Sequence, residues 1–281
     1  MRELHVDVIV ETVARLAVTA NCRLPGDLYA ALCARRATEP SPAGRDALAQ
    51  LVENADIAAA ANMPICQDTG FAVVFADVGQ DVHIVGGSLA EAVDRGVAKG
   101  YTEGLLRKSM VDEPLMERRN TGDNTPAMLH VRLVPGNRLH LTLAAKGAGS
   151  ENKSALAMLT PADGVEGVKR FVLATVDKAG SSPCPPTIVG VGLGGTMEVA
   201  ALLAKRAAAR PVGSCNPDPR YAAVEEELLA LINDLGIGPL GLGGRTTALA
   251  AHIEWSPTHI ASLPVAVNIN CHAARHADAV L

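Results

Sequence analysis

The sequence has few aromatic side chains and no excess of positive charge. Three Phe, three Tyr and one Trp occur among 281 residues, so Ala, Val, Leu and Ile must fill the core, and 26 Gly residues allow close backbone packing. The net charge at pH 7 is −5, and no group of Lys and Arg alternates with aromatic residues. We therefore expect neither nucleic acid nor a membrane surface as a partner.

The sequence also lacks a long apolar run, a leader and a closely spaced cysteine pair. No stretch approaches the roughly 18 consecutive apolar residues of a membrane helix, and no basic segment followed by an apolar one opens the chain. These absences predict a cytoplasmic protein. Its six cysteines are expected to be reduced thiols, core residues or metal ligands, and the absence of a CxxC motif disfavours zinc ribbons and ferredoxin-type clusters.

Periodicity predicts an α+β (mixed α/β) fold. Apolar residues recur at helical spacing over 6–36 and 45–62, and the second of these segments ends where Met63-Pro64 forbids a helix. Runs typical of strands follow at 71–78, 82–85, 187–191 and 264–270. We expect a helical portion at about residues 1–62, then mixed sheets and helices, all within one domain spanning residues 1–281.

Two local patterns predict how neighbouring elements meet. Alternating runs at 128–134 and 138–144 flank Pro135-Gly136-Asn137 and indicate a β-hairpin. The glycines of Gly190–Gly195 follow a strand and open a helix, but they lack the spacing of a dinucleotide-binding fingerprint. Tight packing of a strand against a helix is the better interpretation of those glycines.

The cysteines divide into two groups by their surroundings. Cys22 and Cys33 lie in helical stretches and are typical of core thiols. The remaining four stand at element ends or in Pro- and Gly-rich loops, where rigid scaffolds usually place ligands: Cys66, Cys184, Cys215 and Cys271. Their wide spacing predicts no local motif and does not choose among them, so a site assembled from three distant loops stays open.

A set of short motifs resembles one enzyme family over essentially the whole chain. In order, they are Pro64-Ile-Cys-Gln-Asp-Thr-Gly70, Leu106-Arg-Lys-Ser109, Asn120-Thr-Gly-Asp-Asn-Thr-Pro126, Gly149-Ser-Glu-Asn-Lys153, Pro183-Cys-Pro-Pro186, Ser256-Pro-Thr-His259 and Val267-Asn-Ile-Asn-Cys271. The same motifs in the same order are typical of class I, iron–sulfur fumarate hydratases and L(+)-tartrate dehydratases. The chain resembles their cluster-binding N-terminal domain or alpha subunit.

The resemblance implies the identity of the metal centre. In that family three cysteines hold a 4Fe-4S cluster with one iron not ligated by protein, and Cys66, Cys184 and Cys271 match those positions. Cys215 has no counterpart among the ligands. A cluster with an open iron can act as a Lewis acid toward hydroxyl and carboxylate oxygens, whereas full thiolate ligation suits electron transfer.

The resemblance also implies which residues meet the substrate. Asp68 matches the acid–base residue, whose physical task is to protonate a leaving hydroxyl and to accept that proton in the reverse reaction; without the resemblance, a capping Asp is as good an interpretation. Gln67, Arg107, Gly149 and His259 match substrate-binding positions. They offer an amide, a planar guanidinium, a Gly-rich backbone interrupted by an alanine, and an imidazole.

We therefore expect a hydro-lyase alpha subunit that hydrates fumarate reversibly to malate or dehydrates L-tartrate to oxaloacetate. The family's second domain supplies a Thr base, arginines and a Lys; because the chain stops ten residues after Cys271, we expect that domain on a separate, smaller beta subunit, in an α2β2 heterotetramer. A dehydratase for another small 2-hydroxy acid and a non-enzymatic iron–sulfur redox or sensor protein are the alternatives.

Overall fold

The computed structural model describes residues 1–281, and the chain divides into two units. Unit 1 comprises Met1–Pro25, Ala55–Ala148 and Arg275–Leu281, and unit 2 comprises Gly26–Asn54 and Gly149–Ala274. Both contain helices and sheets, which confirms the predicted α+β class. None of the helices combines the length with the apolar character that crossing a membrane requires.

The elements follow one another without a regular alternation of strand and helix. The helices are α1 (Val6–Cys22), α2 (Gly26–Thr38), α3 (Pro42–Ala61), α4 (Leu89–Glu103), α5 (Ala148–Glu151), α6 (Gly164–Ala179), α7 (Met197–Ala207) and α8 (Pro219–Asp234). The strands are β1 (Arg2–His5), β2 (Phe71–Gly79), β3 (Val82–Val85), β4 (Met128–Val134), β5 (Leu139–Lys146), β6 (Ala155–Leu159), β7 (Thr187–Gly195), β8 (Ala248–Thr258), β9 (Leu263–Asn270) and β10 (His276–Val280). Short 3₁₀ helices occur at Pro161–Asp163 and Pro239–Gly241.

Unit 1 is built on a four-stranded sheet in the order β10-β5-β2-β4, with β1 and β3 forming a small parallel pair. Alternate residues of β2 and β5 point to one face, where α1 and α4 pack together and close the core. The buried side chains of that core include Val74, Ala76 and Val78 of β2, Leu139, Leu141 and Leu143 of β5, Ile9, Val13 and Leu16 of α1, and Val93 and Val97 of α4.

The predicted hairpin between residues 128–134 and 138–144 is wrong. Both strands exist, but β4 pairs in parallel with one edge of β2 and β5 pairs antiparallel with the other. The nine-residue β2 is almost entirely buried, so it needs partners on both edges and lies between the two strands that are neighbours in sequence. The connection Pro135-Gly136-Asn137 crosses the end of β2, where Gly79 N–H donates to the carbonyl of Arg138 at 2.9 Å.

Unit 2 is built on a second four-stranded sheet, in the order β6-β9-β7-β8. Strands β7 and β8 are parallel, and β9 is antiparallel to both of its neighbours. On one face α6 and α8 cover the β-branched side chains of Val189, Val191, Val265, Val267 and Ile269. The other face carries smaller side chains and packs against α7.

The glycines of β7 explain how closely α7 approaches the sheet. A Cβ atom on Gly190 would lie 2.2 Å from the carbonyl oxygen of Ala204, and one on Gly192 would lie 1.9 Å from that of Ala200. Any side chain at either position would force the helix away. The prediction of tight packing between this strand and the following helix is therefore confirmed.

Candidate active site

The loop Cys66–Gly70 of unit 1 joins α3 to β2. Helix α3 ends at Ala61, just before Met63-Pro64, as predicted. Ile65 is buried and donates its N–H to the carbonyl of Asn21 at the end of α1, at 2.9 Å. Cys66 is half-buried and its Sγ lies 3.4 Å from Oε1 of the exposed Gln67. The loop thus presents a thiol and an amide from a firmly anchored backbone.

Asp68 is fixed through both its side chain and its backbone. Its Oδ1 accepts the N–H of Gly70 at 2.9 Å, and its Oδ2 accepts the N–H of Ala148 at 3.0 Å. The side chain therefore caps local backbone, which is the structural role that the sequence had left open for it. Each carboxylate oxygen has a second lone pair, so these two bonds leave the group able to exchange a proton with a ligand.

Tyr101 of α4 binds the backbone at the end of the same loop. Its side chain is completely buried, and its hydroxyl donates to the carbonyl oxygens of Thr69 at 2.9 Å and Gly70 at 3.3 Å. Burial raises the pKa of Tyr101 to about 12, so the hydroxyl keeps its proton and remains a donor throughout the physiological range. Gly70 has φ +69° and passes so close to β5 that a Cβ there would lie 2.5 Å from the carbonyl oxygen of Lys146.

Arg107 lies in the segment that follows α4 and is exposed. The preceding Leu106 is buried in the core of unit 1, so the backbone at this point is anchored while the guanidinium is free to reach a ligand. The Arg107 carbonyl oxygen accepts the Oγ1 hydroxyl of Thr69 at 3.0 Å. This bond joins the segment of Arg107 to the segment of Asp68 within unit 1.

Arg275 is a buried cation that contacts the Asp68 backbone. Only 3% of the residue is exposed, and its Nη2 donates to the carbonyl oxygen of Asp68 at 2.8 Å. Its Nε and Nη1 are buried without a hydrogen-bond partner. A buried guanidinium with unused donors is costly unless an anionic group offsets its charge, so this part of unit 1 is electrostatically suited to an anion.

Cys184 and Cys271 are brought together in unit 2 through His272. Cys184 is exposed, has φ +53° and lies in a loop whose flanking residues Pro183, Pro185 and Pro186 are buried. Its carbonyl oxygen accepts both the backbone N–H of His272 at 3.2 Å and the ring Nδ1–H of His272 at 3.0 Å. Cys271 directly precedes that histidine and follows the last residue of β9.

The donor chemistry of these cysteines fits an iron–sulfur cluster. All three are free thiols on loops or element ends, and none is fully buried. Cys66 belongs to unit 1, whereas Cys184 and Cys271 belong to unit 2. Within either unit, no three Cys, His, Asp or Glu side chains are grouped so as to hold a metal ion. The thiols present are the ligands that such a cluster takes.

Gly149 lies in the short helix α5 and is exposed. Two residues later, Glu151 anchors this segment of unit 2: its Oε1 lies 2.5 Å from Nζ of Lys205, and its Oε2 accepts Nδ2 of Asn268 at 2.8 Å. The Gly-rich sequence predicts backbone N–H donors for a substrate carboxylate. Fewer such donors are open than predicted, because the N–H of Ala148 already donates to Asp68.

His259 lines a cleft of about 520 Å³ at the turn between β8 and β9. The ring Nδ1 accepts the N–H of Ala261 at 3.1 Å, which assigns the proton of the neutral ring to Nε2. The exposed imidazole can therefore donate a hydrogen bond to a ligand. Its neighbours in the cleft include Met158, Met197 and Ser256.

Cys215 lies in a different environment of unit 2. It is exposed at the edge of a cleft of about 860 Å³ that Arg35 and His252 also line. The adjacent Asn216 is buried and donates its backbone N–H to Oε2 of Glu225 at 2.9 Å. The position of Cys215 is thus explained by a structural hydrogen-bond network.

Three residues that support the site were not predicted from the sequence: Tyr101, Asn124 and Arg275. Asn124 stands within one of the family-like motifs, so the sequence marked this position as part of a motif but did not predict its hydrogen bonds. Tyr101 and Arg275 carry no local signal, because their partners lie 32 and 207 residues away in the chain.

Comparisons with known proteins identify a family for this chain. The family model described as fumarate hydratase (Fumerase) matches residues 10–280. A protein of Methanocaldococcus jannaschii named "Putative L(+)-tartrate dehydratase subunit alpha" is 41% identical over 278 residues, covering 96% of this chain and 95% of the relative. The L(+)-tartrate dehydratase subunit alpha of Escherichia coli (strain K12) and that of Shigella sonnei are each 31% identical over 285 residues, covering 99% of this chain and 94% of either relative.

Proposed function

Because the chain belongs to the fumarate hydratase (Fumerase) family and is a hydro-lyase, we propose that it is the alpha subunit of a 4Fe-4S enzyme that dehydrates L-tartrate to oxaloacetate or hydrates fumarate to malate. The names of its relatives favour L-tartrate, and the name of the family model favours fumarate. Both substrates are small dicarboxylates with a hydroxyl group to remove or to add.

The observation that carries the proposal is the loop Cys66-Gln67-Asp68. Three consecutive residues supply a thiol, an amide and a carboxyl group. Four hydrogen bonds fix the segment; three are donated by the backbone N–H groups of Ile65, Gly70 and Ala148, and one by the guanidinium of Arg275. A preorganised acid–base group two residues from a thiol that would hold the cluster is placed to serve the proton of a leaving hydroxyl.

Cys66, Cys184 and Cys271 would hold the cluster. When bound, it supplies Lewis-acid chemistry at the iron that lacks a protein ligand. Asp68 then handles the proton at the leaving hydroxyl oxygen: it donates in dehydration and accepts in hydration. Its second lone pairs are available for this while the bonds from Gly70 and Ala148 keep the carboxyl group in place.

The remaining residues orient the dicarboxylate. Arg107 provides a planar fork for one carboxylate, and Gln67 provides an amide donor. His259 adds its Nε2–H, because Nδ1 is occupied by Ala261. Gly149 offers its backbone N–H from a segment that Glu151 anchors. Four neutral or cationic donors suit a substrate with two negative charges.

A separate beta subunit is proposed to complete the enzyme, in an α2β2 heterotetramer. The relatives are named as alpha subunits. The partner would supply the base that removes the C–H proton, together with further cationic residues.

The first test is anaerobic purification of the chain with its partner subunit, followed by dehydration of L-tartrate and hydration of fumarate. Turnover of either substrate supports the proposal. An intact cluster with no turnover of either would contradict it. Turnover of another 2-hydroxy acid, or reversible redox chemistry without turnover, would support one of the alternative functions instead.

The residue test is Asp68→Asn in that complex. An amide retains one acceptor but places an NH2 against a backbone N–H, so we expect a stability loss of about 1–3 kcal/mol together with a loss of turnover of at least 100-fold. Asp218→Asn is the matched control, because Asp218 also accepts an N–H two residues ahead, from Arg220 at 2.9 Å. Wild-type rates in Asp68→Asn would exclude the acid–base role.

A further inference from the structure

Asn124 connects the two segments of unit 1 that carry Arg107 and Asp68. The residue is completely buried. Its Oδ1 accepts the backbone N–H of Ser109 at 2.7 Å and that of Met110 at 3.2 Å. Its Nδ2 donates to the carbonyl oxygen of Gly70 at 3.2 Å. One side chain therefore binds the backbone just after Arg107 and the backbone just after Asp68.

The amide orientation and the backbone conformation both specify asparagine. Two N–H donors on one side require an oxygen there, and a carbonyl on the other side requires the NH2 group. Asn124 also has φ +68°, a left-handed conformation that Asn adopts more readily than most residues. A different side chain would lose the bridge, the backbone conformation or both.

A second hydrogen bond links the same two segments directly. Thr69 Oγ1 donates to the carbonyl oxygen of Arg107 at 3.0 Å. This bond lies one residue before the Asn124 contact at Gly70 and two residues before the Asn124 contact at Ser109. With 0% of its surface exposed, Asn124 cannot touch a substrate itself. Its influence must pass through the relative placement of the two segments.

We propose that Asn124 is a positioning residue that sets the distance between Arg107 and Asp68 and thereby the length of dicarboxylate that the enzyme accepts. The inference rests on the proposed function, in which Arg107 binds a carboxylate and Asp68 serves the hydroxyl. In a four-carbon hydroxy acid the chain length limits the separation of these groups to a narrow range, and a rigid link matches that range before substrate arrives.

The test is Asn124→Gly in the anaerobic complex with the partner subunit. Glycine keeps the left-handed backbone and deletes the amide bridge. We expect kcat to fall at least ten-fold and KM to rise. Selectivity is the decisive readout. The inhibition constant of glutarate divided by that of succinate, which is one methylene shorter, should fall at least ten-fold toward unity.

The matched control is Asn233→Ala in unit 2. Asn233 is also buried, and its Oδ1 accepts two consecutive backbone N–H groups, from Thr247 and Ala248, both at 2.9 Å. It should lower the melting temperature while leaving the inhibitor ratio unchanged. Hydrogen exchange of residues 66–70 and 105–110 should rise together in Asn124→Gly and not in the control.

Two results would overturn the proposal, and they differ from each other. If the wild-type complex turns over neither substrate, the proposed function fails and the inference fails with it. If the wild type is active and Asn124→Gly keeps the inhibitor ratio within two-fold, the function stands and Asn124 is only structural.

Discussion

Glu39 → Gln is expected to destabilise the protein strongly although the two side chains have the same shape. Glu39 follows α2 and is 2% exposed. Its carboxylate accepts the N–H of Ser41 at 3.0 Å, of Arg245 at 3.0 Å and of Thr246 at 2.8 Å, and the Thr246 hydroxyl at 2.6 Å. It thus satisfies several backbone donors of unit 2 at once.

The magnitude follows from the donors that glutamine cannot satisfy. Whichever oxygen becomes the NH2 group, the N–H of Ser41 or of Thr246 loses its acceptor, at a cost of about 1–3 kcal/mol. The surviving bonds lose their charge assistance, about 1 kcal/mol more. A total near 3 kcal/mol corresponds to a melting temperature lower by roughly 6–12 °C in a chain of this size.

The pH dependence of the stability difference between wild type and Glu39→Gln gives a second test. Burial alone would raise the pKa of Glu39, but the hydrogen bonds from Thr246, Arg245 and Ser41 outweigh it, so the pKa is lowered from 4.5. The unfolded chain therefore takes up this proton first as the pH falls. The stability difference between wild type and Glu39→Gln should be complete above about pH 5.5 and should shrink below pH 4.5, as the pH approaches the folded pKa.

Thermal and urea unfolding at pH 7, 5.5 and 4 measure both effects. The control is Glu53→Gln on the exposed side of α3, which should change the melting temperature by less than about 1–2 °C. A Glu39→Gln protein that melts within 1 °C of wild type at pH 7 would refute the reasoning. A difference that grows on acidification would refute the assigned sign.

Two further predictions concern the metal centre and acid stability. Under anaerobic reconstitution, Cys184→Ala should lose most of its bound iron and sulfide, whereas Cys215→Ala should retain the wild-type amount; equal retention by both variants would contradict the proposed ligand set. The pKa of His252 is lowered to about 4 by burial and by the nearby Arg210, so between pH 6.5 and 4 the unfolded chain binds a proton that the folded chain does not. Wild type should lose about 2 kcal/mol of stability between pH 7 and 5, and His252→Gln should lose correspondingly less in urea titrations; parallel losses in both proteins would contradict this assignment.

Local sequence patterns were sufficient for much of the fold. Helical periodicity located α1 to α3, Pro64 marked the end of α3, and Gly190 with Gly192 indicated a closely packed helix. The hairpin prediction failed for a reason that no local pattern contains. Strands β4 and β5 have a suitable turn between them, but the more buried β2 lies earlier in the chain and takes both as partners.

The candidate site likewise contains residues that local motifs predicted and residues that they did not. Family-like motifs predicted the side chains that we propose to face a ligand, including Cys66, Asp68 and Arg107. The residues that hold them, Tyr101 and Arg275, bind backbone carbonyl oxygens far away in sequence. A side chain that donates to a backbone carbonyl can pair with any residue type. A single sequence therefore contains no pair of residue types that would indicate such a contact.

The two interpretations of Asp68, a capping residue and a catalytic one, are compatible because they use different lone pairs. A carboxyl group that moves a proton must also stay in place while its charge changes. The N–H groups of Gly70 and Ala148 each bind one oxygen and leave the other lone pairs open. Arg275 fixes the carbonyl of the same residue, so the peptide cannot rotate when the carboxyl group is protonated. Capping in this loop is therefore the means by which acid–base chemistry at Asp68 would be kept at one position.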